Sequence, residues 1–185
     1  GACAMDALTT GLDNVAIGKN AYGQAAAGQN NVAIGDNAMG SSLVTGASNI
    51  AIGQNTADAL TSGICNVAIG ANALGVSTTG CRNTAIGELA MGSGDTTGSC
   101  NVAIGYAALQ IATSGCNNVA IGNMAMDASS TGHTNIALGL NALGASTTGC
   151  CNVAIGITAL GGGALTGKRN IAIGEEAAAG FVGNW

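Results

Sequence analysis

Asn66-Val67-Ala68-Ile69-Gly70 is the stretch that decides the fold, because the chain writes it, with small variations, ten times. The copies begin at Asn14, Asn31, Asn49, Asn66, Asn83, Asn101, Asn118, Asn135, Asn152 and Asn170, at intervals of 17 or 18 residues. With that Asn as position zero, Asn, Ala at +2 and Gly at +4 recur in all ten copies, as does Gly at −3, from Gly11 to Gly167. Position +1 is Val, Ile or once Thr, and +3 is Ile or once Leu. Ala stands at +7 in nine copies, usually followed by Leu or Met, and the extra residue of the longer copies falls between +8 and the next Gly at −3. That stretch reads as a loop that tolerates insertion.

A fixed period of this kind marks stacked units that cannot bury a face alone. Seventeen residues are too few for helix–turn–helix repeats of about 33 or more, and each Gly inside a helix would cost about 1 kcal/mol. The β-branched residues at +1 and +3 have the period of two that belongs to a strand, and the pair at +7 and +8 supplies a second short strand or a turn. The expected fold is all-β: a parallel β-solenoid (β-helix or β-roll) of about ten rungs, with no helices of note. It forms one repeat domain over residues 1–185, with a partial rung at 1–13, ten repeats from Asn14 and an irregular end at 177–185. At about 4.8 Å per rung the rod is roughly 48 Å long. The chain contains no Pro, as expected where every rung feeds N–H groups to its neighbours.

Each column has a mechanical meaning. Ten stacked Asn side chains form an amide ladder along the rod. The Gly columns mark corners, where positive φ or close backbone approach excludes a Cβ. Ser or Thr fills −4 in nine rungs, beside the corner. With Val and Ile at +1 and +3 inside, Ala at +2 faces outward, and an outward face apolar in ten copies implies coverage by another chain. Gly1 to Met5 aligns with Gly70 to Leu74, so the first rung starts midway without a polar cap. Ala177 to Trp185 is a cap, or a plug for the next subunit. Open ends template strand pairing, so head-to-tail stacking of copies is expected.

Composition narrows the function. Only 7% of residues are charged and 2% aromatic, against about 25% charged in ordinary globular domains. Mean hydropathy of +0.41 with a net charge of −5 is the opposite of a disordered chain. Four cations (Lys19, Arg82, Lys168 and Arg169) make no nucleic-acid footprint. No apolar run approaches the ~20 residues of a membrane-spanning helix.

The pattern Asn-Val-Ala-Ile-Gly-x-x-Ala resembles the head repeats of YadA-like trimeric autotransporter adhesins, and its extension Thr-Thr-Gly-x-x-Asn-Val-Ala-Ile-Gly-x-x-Ala-Leu, as in Thr147 to Leu160, also resembles repeats in phage tail-fibre-like proteins. The resemblance covers nearly the whole chain. It implies a left-handed parallel β-roll in a trimer that binds surfaces or extracellular matrix.

Seven cysteines follow the repeat without any CxxC pair. Cys65 and Cys100 occupy −1, Cys81 and Cys116 occupy −2, and Cys150 and Cys151 fill both positions of one rung. Cys65/Cys81 and Cys100/Cys116 lie on adjacent rungs with Cα atoms roughly 6 Å apart, inside disulfide range. They are candidate inter-rung disulfides, the alternative being buried free thiols. Cys3, Cys150 and Cys151 are candidates for bonds between subunits, or for a vicinal bridge in the case of the last two. Cys116, His133 and Cys150 share position −2, but the outer two are about 9.6 Å apart by rung spacing, too far to share a zinc ion. The reading is therefore no metal, no cofactor and, with one His and no acid column, no catalytic set. Glu175-Glu176 reads as a solvated pair, and Gly161-Gly162-Gly163 as loop.

The function expected from these features is a structural, self-assembling module of an extracellular filament or fibre, with copies of itself as partners and disulfides as staples. Disulfides would place it in an oxidising, extracellular or virion setting. The alternative is a β-solenoid that binds ice through its Thr and Ala columns, or a surface receptor in the manner of an adhesin head or tail fibre.

Overall fold

A computed structural model describes residues 1–24, 27–163, 166–181 and 183. It contains ten three-residue strands, one per copy of the repeat: β1 (Val15–Ile17), β2 (Val32–Ile34), β3 (Ile50–Ile52), β4 (Val67–Ile69), β5 (Thr84–Ile86), β6 (Val102–Ile104), β7 (Val119–Ile121), β8 (Ile136–Leu138), β9 (Val153–Ile155) and β10 (Ile171–Ile173). They form one parallel sheet in sequence order, with no helix among the described residues. Register is strict: Val15 pairs with Val32, Val32 with Ile50, and so on up the stack. The chain is thus an all-β, parallel β-solenoid.

The main-chain bonds run along the rod. The N–H at +1 donates to the position-zero carbonyl of the following rung, as Val67 does to Asn83 at 2.8 Å. The N–H at +4 donates to the +3 carbonyl of the preceding rung, as Gly70 does to Ile52 at 2.8 Å. A single rung therefore owns almost no ladder of its own, and stability is a property of neighbours.

The direction of the strands reverses the expectation for Ala at +2. Ala33, Ala51, Ala68, Ala85, Ala103, Ala120, Ala137 and Ala154 are fully buried, while the flanking Val and Ile side chains point outward. The reason lies on the opposite wall. There the +8 residues (Tyr22, Met39, Leu74, Met91, Leu109, Met126, Leu143 and Leu160) project inward and fill the rung. Two walls this close leave room for one large and one small layer, so the sheet contributes methyl groups.

That opposite wall is a turn and not a second strand. Every rung holds three non-glycine residues at positive φ, at −1, +6 and +8, as Cys65 (φ 58°), Asn72 (φ 56°) and Leu74 (φ 50°) show. Such conformations cost about 1–3 kcal/mol each unless the surroundings over-determine them. Here the ladder does so. Asn72 N–H donates to Gln54 O of the rung before at 2.9 Å, and Leu74 N–H to Ala90 O of the rung after at 3.0 Å. Alternating left-handed residues aim successive N–H groups at opposite neighbours.

The two glycine columns have different causes. Gly at +4 has φ of 123–138° in all ten copies, where a side chain is strained whatever the space. Gly at −3 has ordinary φ but no room: a Cβ on Gly80 would lie 2.6 Å from the Thr96 carbonyl oxygen. At the N-terminal side, Cys3 and Met5 repeat the left-handed positions and Met5 N–H donates to Ala21 O at 3.1 Å, so residues 1–8 continue the stack. Phe181 packs on the core near the other end, while Val182, Asn184 and Trp185 lie outside the described residues.

Candidate functional site

Three longitudinal columns run along the rod: a buried amide ladder, an aliphatic face and a thiol-bearing corner. The ladder comes first because it holds the other two in register. Asn66 is typical. Its N–H and its Nδ2 both donate to Asn49 Oδ1, at 2.9 and 3.0 Å, and Nδ2 also donates to Gly80 O at 2.8 Å. Asn83 instead uses its N–H on Asn66 Oδ1 and its Nδ2 on Gly98 O. Asn31 replaces the amide step below it with Tyr22, whose hydroxyl oxygen accepts from Nδ2 at 2.8 Å. The Asn residues from Asn31 to Asn170 are buried, and Asn14 is half-buried. Among the described residues no buried side-chain N or O lacks a partner. A shorter amide chain joins Asn20, Asn37 and Asn55 at the +6 corner.

The ladder presents the outward side of the sheet as two columns, +1 and +3. Nineteen of these twenty residues are Val, Ile or Leu, and the exception is Thr84. All are at least partly exposed; Ile69 is 36% exposed and Ile136 40%, well inside the sheet and away from its ends. Nine steps of about 4.8 Å make a strip about 43 Å long. Eight of the twenty, Val15, Ile17, Ile50, Ile69, Ile121, Ile136, Ile171 and Ile173, are at least 36% exposed, and a contiguous apolar strip of this kind marks an interaction surface. Beside it runs the exposed −1 column, with Asp13, Asn30, Ser48, Arg82, Asn117 and Arg169, a polar rim along an apolar centre.

Six of the seven thiols lie at −1 or −2 along that rim, and Cys3 lies at the +6 position of the partial first rung. All seven cysteines are free, so neither Cys65–Cys81 nor Cys100–Cys116 is bridged here. The ladder joins the other diagonal: each −1 N–H donates to the −2 carbonyl of the rung before, so Cys100 bonds Cys81 at 3.0 Å while Cys65 bonds Ala47. The left-handed residue at −1 also turns Cys65 and Cys100 into solvent. Cys81 folds back on its own rung, its Sγ–H donating to Thr79 O at 3.4 Å. Cys3 and Cys151 are exposed, whereas Cys150 is buried between His133 and Lys168, with which its backbone pairs on either side. No vicinal Cys150–Cys151 bond is present.

Rung-spacing arithmetic set Cys116, His133 and Cys150 too far apart to share an ion. A different trio comes together: the ligand atoms of His133, Cys150 and Cys151 all lie within 4.8 Å of one another. The signal that could have found it is the adjacent pair Cys150-Cys151 one rung above the only His. The period-two rule hides it by sending neighbouring side chains to opposite faces.

Two ionisable groups feel the fold. Burial pushes the Tyr22 phenol above its usual 10.0, partly opposed by its hydrogen bond with Asn31. Burial likewise raises the Asp127 carboxyl, against backbone hydrogen bonds. Asp127 lines a shallow depression with Asn141, Gly144 and Thr158. Glu175 and Glu176 are both exposed. Among the described residues no helix is long and apolar enough to cross a membrane.

No protein-family model, curated protein or solved structure matches the chain.

Proposed function

We propose that the chain is a structural, self-assembling β-solenoid module of an extracellular filament or fibre, and that copies pack on one another through the aliphatic sheet face. The single observation that carries this reading is that face: nineteen aliphatic side chains out of twenty, in register and at least partly open to solvent. A surface under no constraint to stay apolar would hold charges somewhere along ten rungs. Because the face repeats at the rung spacing, it is complementary to itself, and two such sheets pack about 10 Å apart. Covering both faces removes apolar surface from water at about 25 cal/mol per Å², set against association costs of about 4–15 kcal/mol.

Head-to-tail stacking extends such an assembly, since the ladder bonds already point along the rod. The exposed thiol of Cys3 is available for a covalent staple. The resemblance to adhesin heads and tail fibres supports an extracellular setting.

The test uses charges on the outward columns of three rungs, Ile69→Lys, Ile104→Lys and Ile121→Lys together. Light scattering and negative-stain images should show oligomers or filaments for the parent chain and monomers with unchanged circular dichroism for the variant. A parent chain that stays monomeric at high concentration removes the reading.

A second reading, binding of ice or another ordered surface, is favoured by one observation. The hydroxyls at −4 (Thr10, Thr45, Ser62, Thr79, Thr97, Ser114, Thr131, Thr148 and Thr166) are all exposed in a single column. Thermal hysteresis from a monomer, abolished by Thr97→Lys, would favour it over the fibre.

A further inference from the structure

We propose that His133, Cys150 and Cys151 form a site for one zinc(II) ion, built into the corner between the eighth and ninth rungs. Two thiolates and an imidazole are a set suited to this borderline-soft d¹⁰ ion, and a three-ligand protein set leaves one position for water or another donor.

The fold makes the site in three steps. First, strict register stacks −2 on −2, so the His133 and Cys150 backbones pair directly. Second, Cys151 sits at φ 60°. An extended residue would throw its side chain to the face opposite Cys150, but the left-handed turn brings it round, and its N–H donates to His133 O at 3.1 Å. Third, Cys150 is only 6% exposed and held by pairing on both sides, which makes it the fixed ligand.

The three ligand atoms lie within 4.8 Å of one another, whereas ligands of a tetrahedral zinc ion are about 3.8 Å apart. The difference, about one ångström, is within reach of side-chain rotation at the exposed His133 and Cys151. Thr134 Oγ1 lies 3.4 Å from His133 Nδ1, where an outer partner can hold the ring while Nε2 faces the ion.

The rest of the thiol corner offers no such set. Cys81 and Cys100 are joined by the same main-chain bond, but their companions at −1 and −2 are Arg82 and Ser99. Only the ninth rung supplies both sulfurs, and only the eighth supplies an imidazole. Binding releases the protons of the two thiols.

The experiment is a titration of the full, reduced chain with cobalt(II), whose thiolate charge-transfer and tetrahedral ligand-field bands report the donors, followed by displacement with zinc(II). One equivalent should bind with the charge-transfer band and be displaced by zinc. Losing even an outer-shell partner costs about 10–100-fold in affinity, so Cys151→Ser and His133→Ala should each weaken binding by at least about 100-fold. Cys100→Ser should leave it unchanged. All three substitutions are at exposed positions, and circular dichroism checks that the rod is intact. The proposal fails if the reduced chain shows no charge-transfer band, if the band survives unchanged in Cys151→Ser or His133→Ala, or if Cys100→Ser abolishes it. These outcomes do not depend on assembly, since the titration reads the same at concentrations where the chain is dispersed.

Discussion

Asn101 serves two rungs at once: its Oδ1 accepts from both the N–H and the Nδ2 of Asn118, and its Nδ2 reaches Asn83 Oδ1 and Gly115 O. Asn101→Ala leaves a buried N–H and a buried carbonyl unmet, each costing about 1–3 kcal/mol. A loss of about 2–4 kcal/mol in urea unfolding is expected, against a smaller loss for Asn14→Ala at the half-buried start of the ladder. Equal losses at the two sites would show that the ladder contributes little beyond local turn geometry. Tyr22 gives a pH signature. The fold raises its pKa above 10.0, so the folded chain keeps a proton that the unfolded chain releases. Its contribution is complete below pH 10 and declines as pH rises toward the folded value. Tyr22→Phe should flatten the fall in thermal midpoint above pH 10. At neutral pH it should cost about 1–3 kcal/mol, because one buried Nδ2–H of Asn31 loses its acceptor while the other keeps Gly46 O.

Each strand is three residues with one side chain inside and two outside, and the alternation makes a sharp test. Ala103→Val adds two methyls to a wall already filled by Met91 and Leu109, and overpacking of this kind costs about 1–3 kcal/mol. Ile104→Thr, its neighbour on the outer face, should change the monomer's stability by less than about 0.5 kcal/mol while weakening association. Urea melts of the two variants decide between this orientation and its inverse. The turn that forms the opposite wall works differently. Leu74 and Met91 sit at φ 50°, where propensity gives no reason to place them, and bonds to the rung above hold them there. Strain in one element is thereby relieved by the next, which binds the rungs into one cooperative unit.

At the scale of the whole rod, the repeat behaves as a one-dimensional stack. Excising residues 101–117 removes one full period and brings Cys100 against Asn118, a −1 residue before a ladder Asn. That chain should fold with the same circular dichroism and a slightly lower midpoint. Excising 101–109 should abolish cooperative unfolding, because every column above the cut loses register. If both deletions fold alike, the columns are not coupled along the rod. The same regularity produces the long aliphatic face, since ten copies of one outward pair sum to an area no single rung presents.

The fold class, the period, the amide ladder and both glycine columns were legible in the sequence because repetition displays them: a position identical in ten copies reports a constraint common to ten environments. Repetition could not say which side of the strand faces inward. Ala68 and the pair Val67 and Ile69 are all apolar, so the period of two separates two faces without ranking them, and the choice fell to the bulk of Leu74 on the opposite wall. It could not show that −1 residues are left-handed either. With that torsion in place, the Cys100 N–H bonds back to Cys81 O, and the ligand atoms of Cys150 and Cys151 come within 4.8 Å of those of His133. Local chemistry in the sequence determined the rung and its count. Tertiary structure alone decided the inside, the diagonal and the trio, because each depends on what the neighbouring rung or the facing wall brings to the same place.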